Sequence, residues 1–332
     1  MEKKDKLKHY NWRLGDRYDG WRVRKVDALF SVVPFILPTR VDSEVFYEVK
    51  VPIDAVETFI REHKKEIPGL SIMHVVMAGF VRLISQRPIV NRFIVWNKIF
   101  ARNHISFSLV IKRSLSDAGE ETVIKIYFSP TDTLMDVARK LNAEIEKNIQ
   151  TGSQNTSEAL SKLLGYFPDF LLRTAILFVK TLDKIGIMPK FFFRISPFHS
   201  TLFLTNLGSI GADSIYHHLY EFGTCSMFAS MGKKSKNTKT DKDTDKTPQK
   251  SMVLKFVLDE RICDGFYYAS SMRMYEKILS NPSVLLSPPA VSFISLTISL
   301  TLSKTIKPQL GCSLRCFSIR KNISFFPKAF TV

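Results

Sequence analysis

The chain has 332 residues, 45% hydrophobic and 12% aromatic, which is enough apolar material for a core and excludes wholesale disorder. Its formal net charge of +17 sits on peripheral segments: residues 1–25 carry +5, the run 233–250 carries +4 and residues 277–332 carry +7. Nucleic-acid binders gather their cations on a folded face with interleaved aromatics, so this distribution argues against nucleic acid as a partner.

Residues 1–25 read as a basic, turn-rich N-terminal segment without the apolar stretch of a secretory signal. The next run, DALFSVVPFILPTRVDSEVFYEVKVPID, contains prolines that should break any helix, and VFYEVKV alternates as a strand. Pro52-Ile53-Asp54 starts a helix, with Asp54 in a capping position. Ser71 opens a second helix, SIMHVVMAGFVRLISQRP, apolar on all sides and stopped at Pro88. His74 inside it reads as a satisfied core histidine. HISFSLVIKR and ETVIKIYF are strands, and Thr133 to Gln150 is an amphipathic helix. SEALSKLLGYFPDFLLRTAILFVKTLDKIGIMPK gives two helices divided at Pro168. The second carries Arg173 and Lys180, so it is too short and too charged to span a bilayer, and no integral membrane segment is expected.

STLFLTNLGSIGAD reads as a strand followed by a glycine-rich turn, and CSMFASMG and SMVLKFVLDE are two more strands. The run 233–250 between those two lacks apolar residues and reads as a solvated loop insertion. Residues 290–332 form an atypical basic tail in which hydroxyl and apolar residues alternate. Three readings stay open for it: a membrane-associating tail, an edge strand, or sequence foreign to the fold, such as a frameshifted end. The four cysteines are scattered, and Cys312 and Cys316 lack a second ligand pair, so no metal site is expected. Reduced thiols point to a cytoplasmic location.

The order strand, Asn-Leu-Gly turn, strand, loop, strand, D-x-R-h-x-D-G, helix resembles the dihydrolipoyl acyltransferase catalytic domain of the 2-oxo acid dehydrogenase complexes. That family shares its fold with chloramphenicol acetyltransferase. Leu204 to Gly208 looks like the family's I-S-N-L-G and Asp259 to Gly265 like its D-H-R-h-x-D-G. Pro88 to Asn91 matches its P-x-x-N turn, and the resemblance spans residues 26–289. It implies a chloramphenicol acetyltransferase-like α/β two-layer sandwich with a mixed β-sheet and flanking helices, assembled as a homotrimer with active sites between subunits. It also implies acyl transfer through a CoA-type thiol, with coenzyme A or an acyl-CoA thioester as substrate and no covalently bound cofactor.

In that family the motif histidine takes the thiol proton, and a hydroxyl beside the Asn-Leu-Gly turn steadies the oxyanion. Carried over, the resemblance gives Thr205 as the hydroxyl, with Asn206 beside it. Asp264 and Gly265 hold the corner, and Arg40 is the expected partner of Asp264. The histidine position holds Glu260. A free glutamate titrates near about 4.3, against about 6.5 for imidazole and about 8.5 for a thiol, so the exchange costs about 3 kcal/mol of basicity unless the site desolvates it. His217, His218 and His199 are alternative bases, although a structural role suits each of them better. Two readings remain open: an acyltransferase with an altered base, and a non-catalytic oligomeric scaffold or ligand-binding protein that keeps the fold.

Overall fold

The computed structural model describes residues 13–112, 121–150, 165–236 and 250–289. Its larger sheet has six strands: β2 (Glu44–Pro52), β9 (Lys250–Asp259), β8 (Met227–Lys236), β7 (Leu202–Asn206), β5 (Ile105–Lys112) and β6 (Glu121–Phe128), side by side in that order. β7 runs parallel to both of its neighbours and the other pairings are antiparallel. A smaller sheet orders β1 (Gly20–Arg22), β4 (Lys98–Arg102) and β3 (Arg92–Val95). This is the mixed two-layer α/β sandwich implied by the resemblance.

One face of the large sheet is buried under four helices: α2 (Ile53–His63), α3 (Ile72–Gln86), α4 (Leu134–Gln150) and α7 (Gly265–Ser280). Alternate residues Leu204, Ala229 and Phe256 point into that layer, as the two-residue strand period requires. α3 is buried from His74 through Ser85, which explains why its sequence is apolar all round. Its N-cap Ser71 and His74 form a capping box, and His74 Nε2 lies 2.9 Å from Asn142 Oδ1, so this histidine is satisfied within the core. The opposite face carries Phe203, Phe228 and Val257, roofed by Leu219 and Tyr220 of the segment leading into β8. Lys125 anchors the flank of this roof by donating to the carbonyls of Phe193, Ser196 and His199.

The structure departs from the sequence reading in several places. A helix, α1 (Ala28–Ile36), forms across the first proline of the run 27–54. Pro34 lies in its last turn, where the missing N–H costs one bond, and Asp27 caps the start. The cap of α2 is Pro52; Asp54 lies in the first turn and accepts instead from Lys250 N. A hairpin that the sequence reading passes over, β3–β4, turns through Trp96 and Asn97, both at positive φ. Most consequentially, the fold starts before residue 26: β1 pairs with β4, and Asp16, Arg17 and Asp19 are buried. Arg17 is held by Asp19 at 2.9 Å and by Asp183 at 2.6 Å. Charges that cancel through space look like surplus when summed along the chain.

The solvated insertion is shorter than 233–250, because β8 extends to Lys236 and β9 begins at Lys250. Of the two helices divided at Pro168, α5 (Asp169–Ile185) is present with Pro168 as its cap, and α6 (Lys190–Ile195) follows it. The earlier helix, residues 237–249, the tail 290–332 and the Cys312–Cys316 pair lie outside the described residues.

Candidate active site

β9 delivers the D-E-R-I-C-D-G corner. Asp259, its last residue, is fully buried and makes bidentate contact with Arg261 (2.8 Å to Nε and 2.7 Å to Nη2) while accepting from Arg261 N at 3.1 Å. Arg40 Nε stands 3.8 Å from Asp259 Oδ2, and its Nη atoms donate to the carbonyls of Tyr220 and Gly223 at 2.6 and 2.9 Å. Arg40 therefore pairs with Asp259 and not, as the sequence reading expects, with Asp264. Asp259 is the one fully desolvated carboxylate of the corner, so it is the one that needs cations. Burial pushes the Arg40 guanidinium below its usual range, and Asp259 and Glu221 pull it back. Arg261 is likewise committed to Asp259 and to Leu37 O, which leaves Glu260 unpaired with it.

This lattice holds Glu260 exposed in a 3₁₀ turn. Asp264 is also exposed and caps α7, accepting from Tyr267 N at 2.8 Å. A Cβ on Gly265 would meet nothing within 4 Å, so nothing in this chain demands glycine there. Phe266 beside it is 80% exposed. Burial pushes the Cys263 thiol up to about 12, with Asp264 adding to the rise, and this rules it out as a thiolate nucleophile. The P-x-x-N turn supports the corner: Asn91 Nδ2 donates to His104 O at 3.0 Å, and Arg87, just before the turn, bonds Ser271 and stacks on the Tyr267 ring at 4.0 Å.

Thr205 ends up elsewhere. It pairs with Ser230 on β8, which pairs with Lys255 on β9, and Glu260 lies five residues further along β9. At about 3.4 Å per residue the two positions are about 17 Å apart along the strands and two strands apart across them. Thr205 is thus level with the middle of β9, while Glu260 lies just past its end. Thr205 is half-buried on the face away from the four helices, sharing it with Phe203. Asn206 ends β7, its amide 4.0 Å from Met73 Sδ. The turn after it closes because Gly208 and Gly232 lack side chains: a Cβ on Gly208 would stand 2.5 Å from Gly232 O.

None of the three histidines joins these groups within the chain. His199 is buried, with Nε2 3.4 Å from Asp183 Oδ2 and Nδ1 2.7 Å from Ser196 Oγ. Burial lowers its pKa, against the pull of Asp183. His217 stacks on Phe228 at 4.1 Å and on His218 at 4.5 Å. The sequence reading missed Asp259 as the centre of the corner, although the D-x-R spacing that puts a bidentate arginine beside it was visible. Among the described residues no group of histidines, cysteines and carboxylates could hold a metal.

A cavity of about 320 Å³ lies against the corner, lined in part by Arg40, Arg261, Trp96, Lys180, Lys184 and Asp183. Its carboxylates are spent internally: Asp183 on Arg17 and His199, and Glu221 on the amides of Arg40 and Val41.

No family model and no curated protein matches the sequence. Solved structures match the fold. A dihydrolipoamide acetyltransferase of Azotobacter vinelandii, in which the role of a serine, a histidine and an asparagine in the catalytic mechanism has been investigated, aligns at 13% identity over 80% of this chain and 95% of its own, with TM-score 0.51. The chain has the dihydrolipoamide acetyltransferase fold. A probable dihydrolipoamide acetyltransferase of Listeria monocytogenes (13% identity, 78% and 94% coverage, TM-score 0.49) and a chloramphenicol acetyltransferase (9%, 77% and 96%, 0.45) are also similar.

Proposed function

We propose that the protein is an acyltransferase that moves an acyl group to or from a CoA-type thiol at a site formed between copies of the chain, most simply a homotrimer working in the cytoplasm. The observation that carries this is the separation of Thr205 and Glu260 by two strands and five residues of register, too far for one bound thioester to meet both within a chain, with Glu260 exposed and Thr205 half-buried. One copy supplies a hydroxyl and another a carboxylate. The open space at Gly265 and the exposed Phe266 leave room for such a neighbour at the corner. The histidine and asparagine investigated in the Azotobacter enzyme stand four positions apart, and Glu260 and Asp264 keep that spacing. Cys225 and Cys263 are free and buried, which suits a reducing compartment.

In this reading Glu260 takes the thiol proton as sulfur attacks the thioester carbonyl, and Thr205 donates to the oxyanion that forms. Collapse expels the second thiolate, which recovers the proton from Glu260. Packing of a neighbour over the corner would desolvate the carboxylate and raise its basicity. Asp259, Arg40 and Arg261 position the base without touching substrate.

The test measures thioester turnover on a panel of acyl-CoAs, with oligomer mass followed by sedimentation. Thr205→Ala should slow turnover about 100-fold, the usual worth of one oxyanion donor at about 3 kcal/mol. Glu260→Gln should abolish the rise of rate with pH. A monomeric wild type, or a wild type that turns over no thioester, overturns the proposal and leaves the scaffold reading.

A further inference from the structure

α5 makes little use of its apolar surface. Leu172, Val179 and Leu182 are half-buried against the body, and only Asp183 near its end is buried. Phe170, Leu177 and Phe178 are 63 to 67% exposed, and Leu171 and Ile185 are also exposed. These five fall at seven-residue spacings, 170 and 177 beside 171, 178 and 185, so they form one continuous outward stripe. Arg173, Lys180 and Lys184 form a second stripe, three or four residues from Leu177 on either side or a full two turns along. Ile187 and Phe191 continue the apolar surface into α6, and Lys190 and Arg194 continue the charge. None of these five cations has a carboxylate partner among the described residues. Across 165–195 the only carboxylates are Asp169 and the buried Asp183.

We propose that the α5–α6 segment docks this protein on an anionic membrane surface, the five apolar side chains entering the headgroup boundary and the cations meeting lipid phosphates. The chemistry fits a helix lying in the interface plane: apolar and aromatic residues on one side, lysine and arginine alongside. α5 has 17 residues, and no described helix is long and apolar enough to cross a membrane, so the helix would lie on the surface and not span it. Charge decides against the same face of a second copy as the occupant, because a face-to-face contact would set these five cations against their own duplicates, with no exposed carboxylate in 165–195 but Asp169 to offset them. The cavity at the base of α5 adds an independent observation, since Lys180 and Lys184 line it and its carboxylates are already engaged. The proposal does not rest on the acyltransferase reading.

The test is co-sedimentation of the full chain with vesicles of phosphatidylglycerol and phosphatidylcholine, against phosphatidylcholine alone. Wild type should bind the anionic vesicles, and the Arg173→Glu, Lys180→Glu, Lys184→Glu triple variant should bind them at least about 100-fold more weakly, since each removed cation is worth about 1 kcal/mol and about 1.4 kcal/mol is a factor of ten. The Phe170→Ser, Leu177→Ser, Phe178→Ser variant should lose binding while keeping its circular dichroism and its thioester turnover, since all three side chains are exposed. Wild type that stays in the supernatant overturns the proposal. So does an apolar-stripe variant that still binds as wild type does, because the attraction would then come from other basic segments. Loss of oligomer mass in that variant with vesicle binding unchanged also overturns it, by assigning the stripe to a neighbouring copy.

Discussion

The Glu260 end of the six-stranded sheet and the turn after Thr205 are built on different physics. At the Glu260 end, one fully buried carboxylate, Asp259, is enclosed by Arg261 and Arg40, and Arg40 goes on to bind the carbonyls of Tyr220 and Gly223. At the Thr205 turn the ion pairs are solvent-exposed ones, such as Lys233 with Asp213 at 3.4 Å, and are worth little. Gly208 and Gly232 pass so closely that neither could carry a Cβ: Gly232 would place one 2.6 Å from Ser214 N. The first end is held by charge in a low dielectric and the second by the absence of atoms. A buried charge lattice fails when one member is removed, whereas a close backbone approach fails when volume is added.

The largest effect is expected at the charge lattice. Asp259→Asn keeps the shape of the corner but leaves Arg40 and Arg261 buried without a carboxylate, and it should destabilise the chain by about 3 to 5 kcal/mol. Urea unfolding measures it. A loss under 1 kcal/mol would mean that the arginines are satisfied by carbonyls alone and that the contrast between the ends is false. The second effect is steric: Gly208→Ala should cost about 1 to 3 kcal/mol, because the clash is with backbone and not with a side chain that can turn away. Gly265→Ala is the internal control. With nothing within 4 Å of its Cβ it should leave stability nearly unchanged, so equal losses at 208 and 265 would count against a close approach at the turn.

The sequence makes the strands and the buried helix α3 legible, because a period of two and an all-round apolar face each have one structural meaning. The motif residues are legible as positions but not as contacts. Arg40 was assignable to the corner, yet the choice between Asp259 and Asp264 depended on which carboxylate the sheet buries, and burial is decided by packing from β2, α1 and the 220–223 segment. The N-terminal residues 13–25 are illegible for the same reason, since besides the neighbouring Asp19 the partner that ties Arg17 into the fold is Asp183, 166 positions away. α1 was hidden by Pro34, which a propensity argument treats as a stop although the last turn of a short helix tolerates it. The separation of Thr205 from Glu260 could not be read from motif order, because it follows from β9 running antiparallel to β8.

The smallest effect is the acid response of the charged end. His104 is buried beside Arg102 and Lys125; burial first, then those cations, hold its pKa well below 6.5. On the Thr205 side, burial lowers His74 as well, against the bond to Asn142. In the unfolded chain these imidazoles take up protons near 6.5, whereas the folded chain keeps them neutral, so stability must fall as pH drops below about 6.5. Asp183 adds a second step. Burial pushes its carboxyl up, but the bond from His199 and the charge of Arg17 outweigh it and hold the pKa near 2, against 3.8 for the free group. A depressed carboxylate stabilises the fold above its unfolded pKa and loses that contribution as pH falls through the folded value, which is worth about 2 kcal/mol between pH 4 and 2. Urea midpoints taken from pH 7.5 down to 3 should therefore decline in two stages, and Asp183→Asn should remove the lower one. Midpoints that stay level from pH 7.5 to 5 would show that the histidines are reached by protons in the folded state, and the end of the sheet assigned here to buried charge would then be open to water.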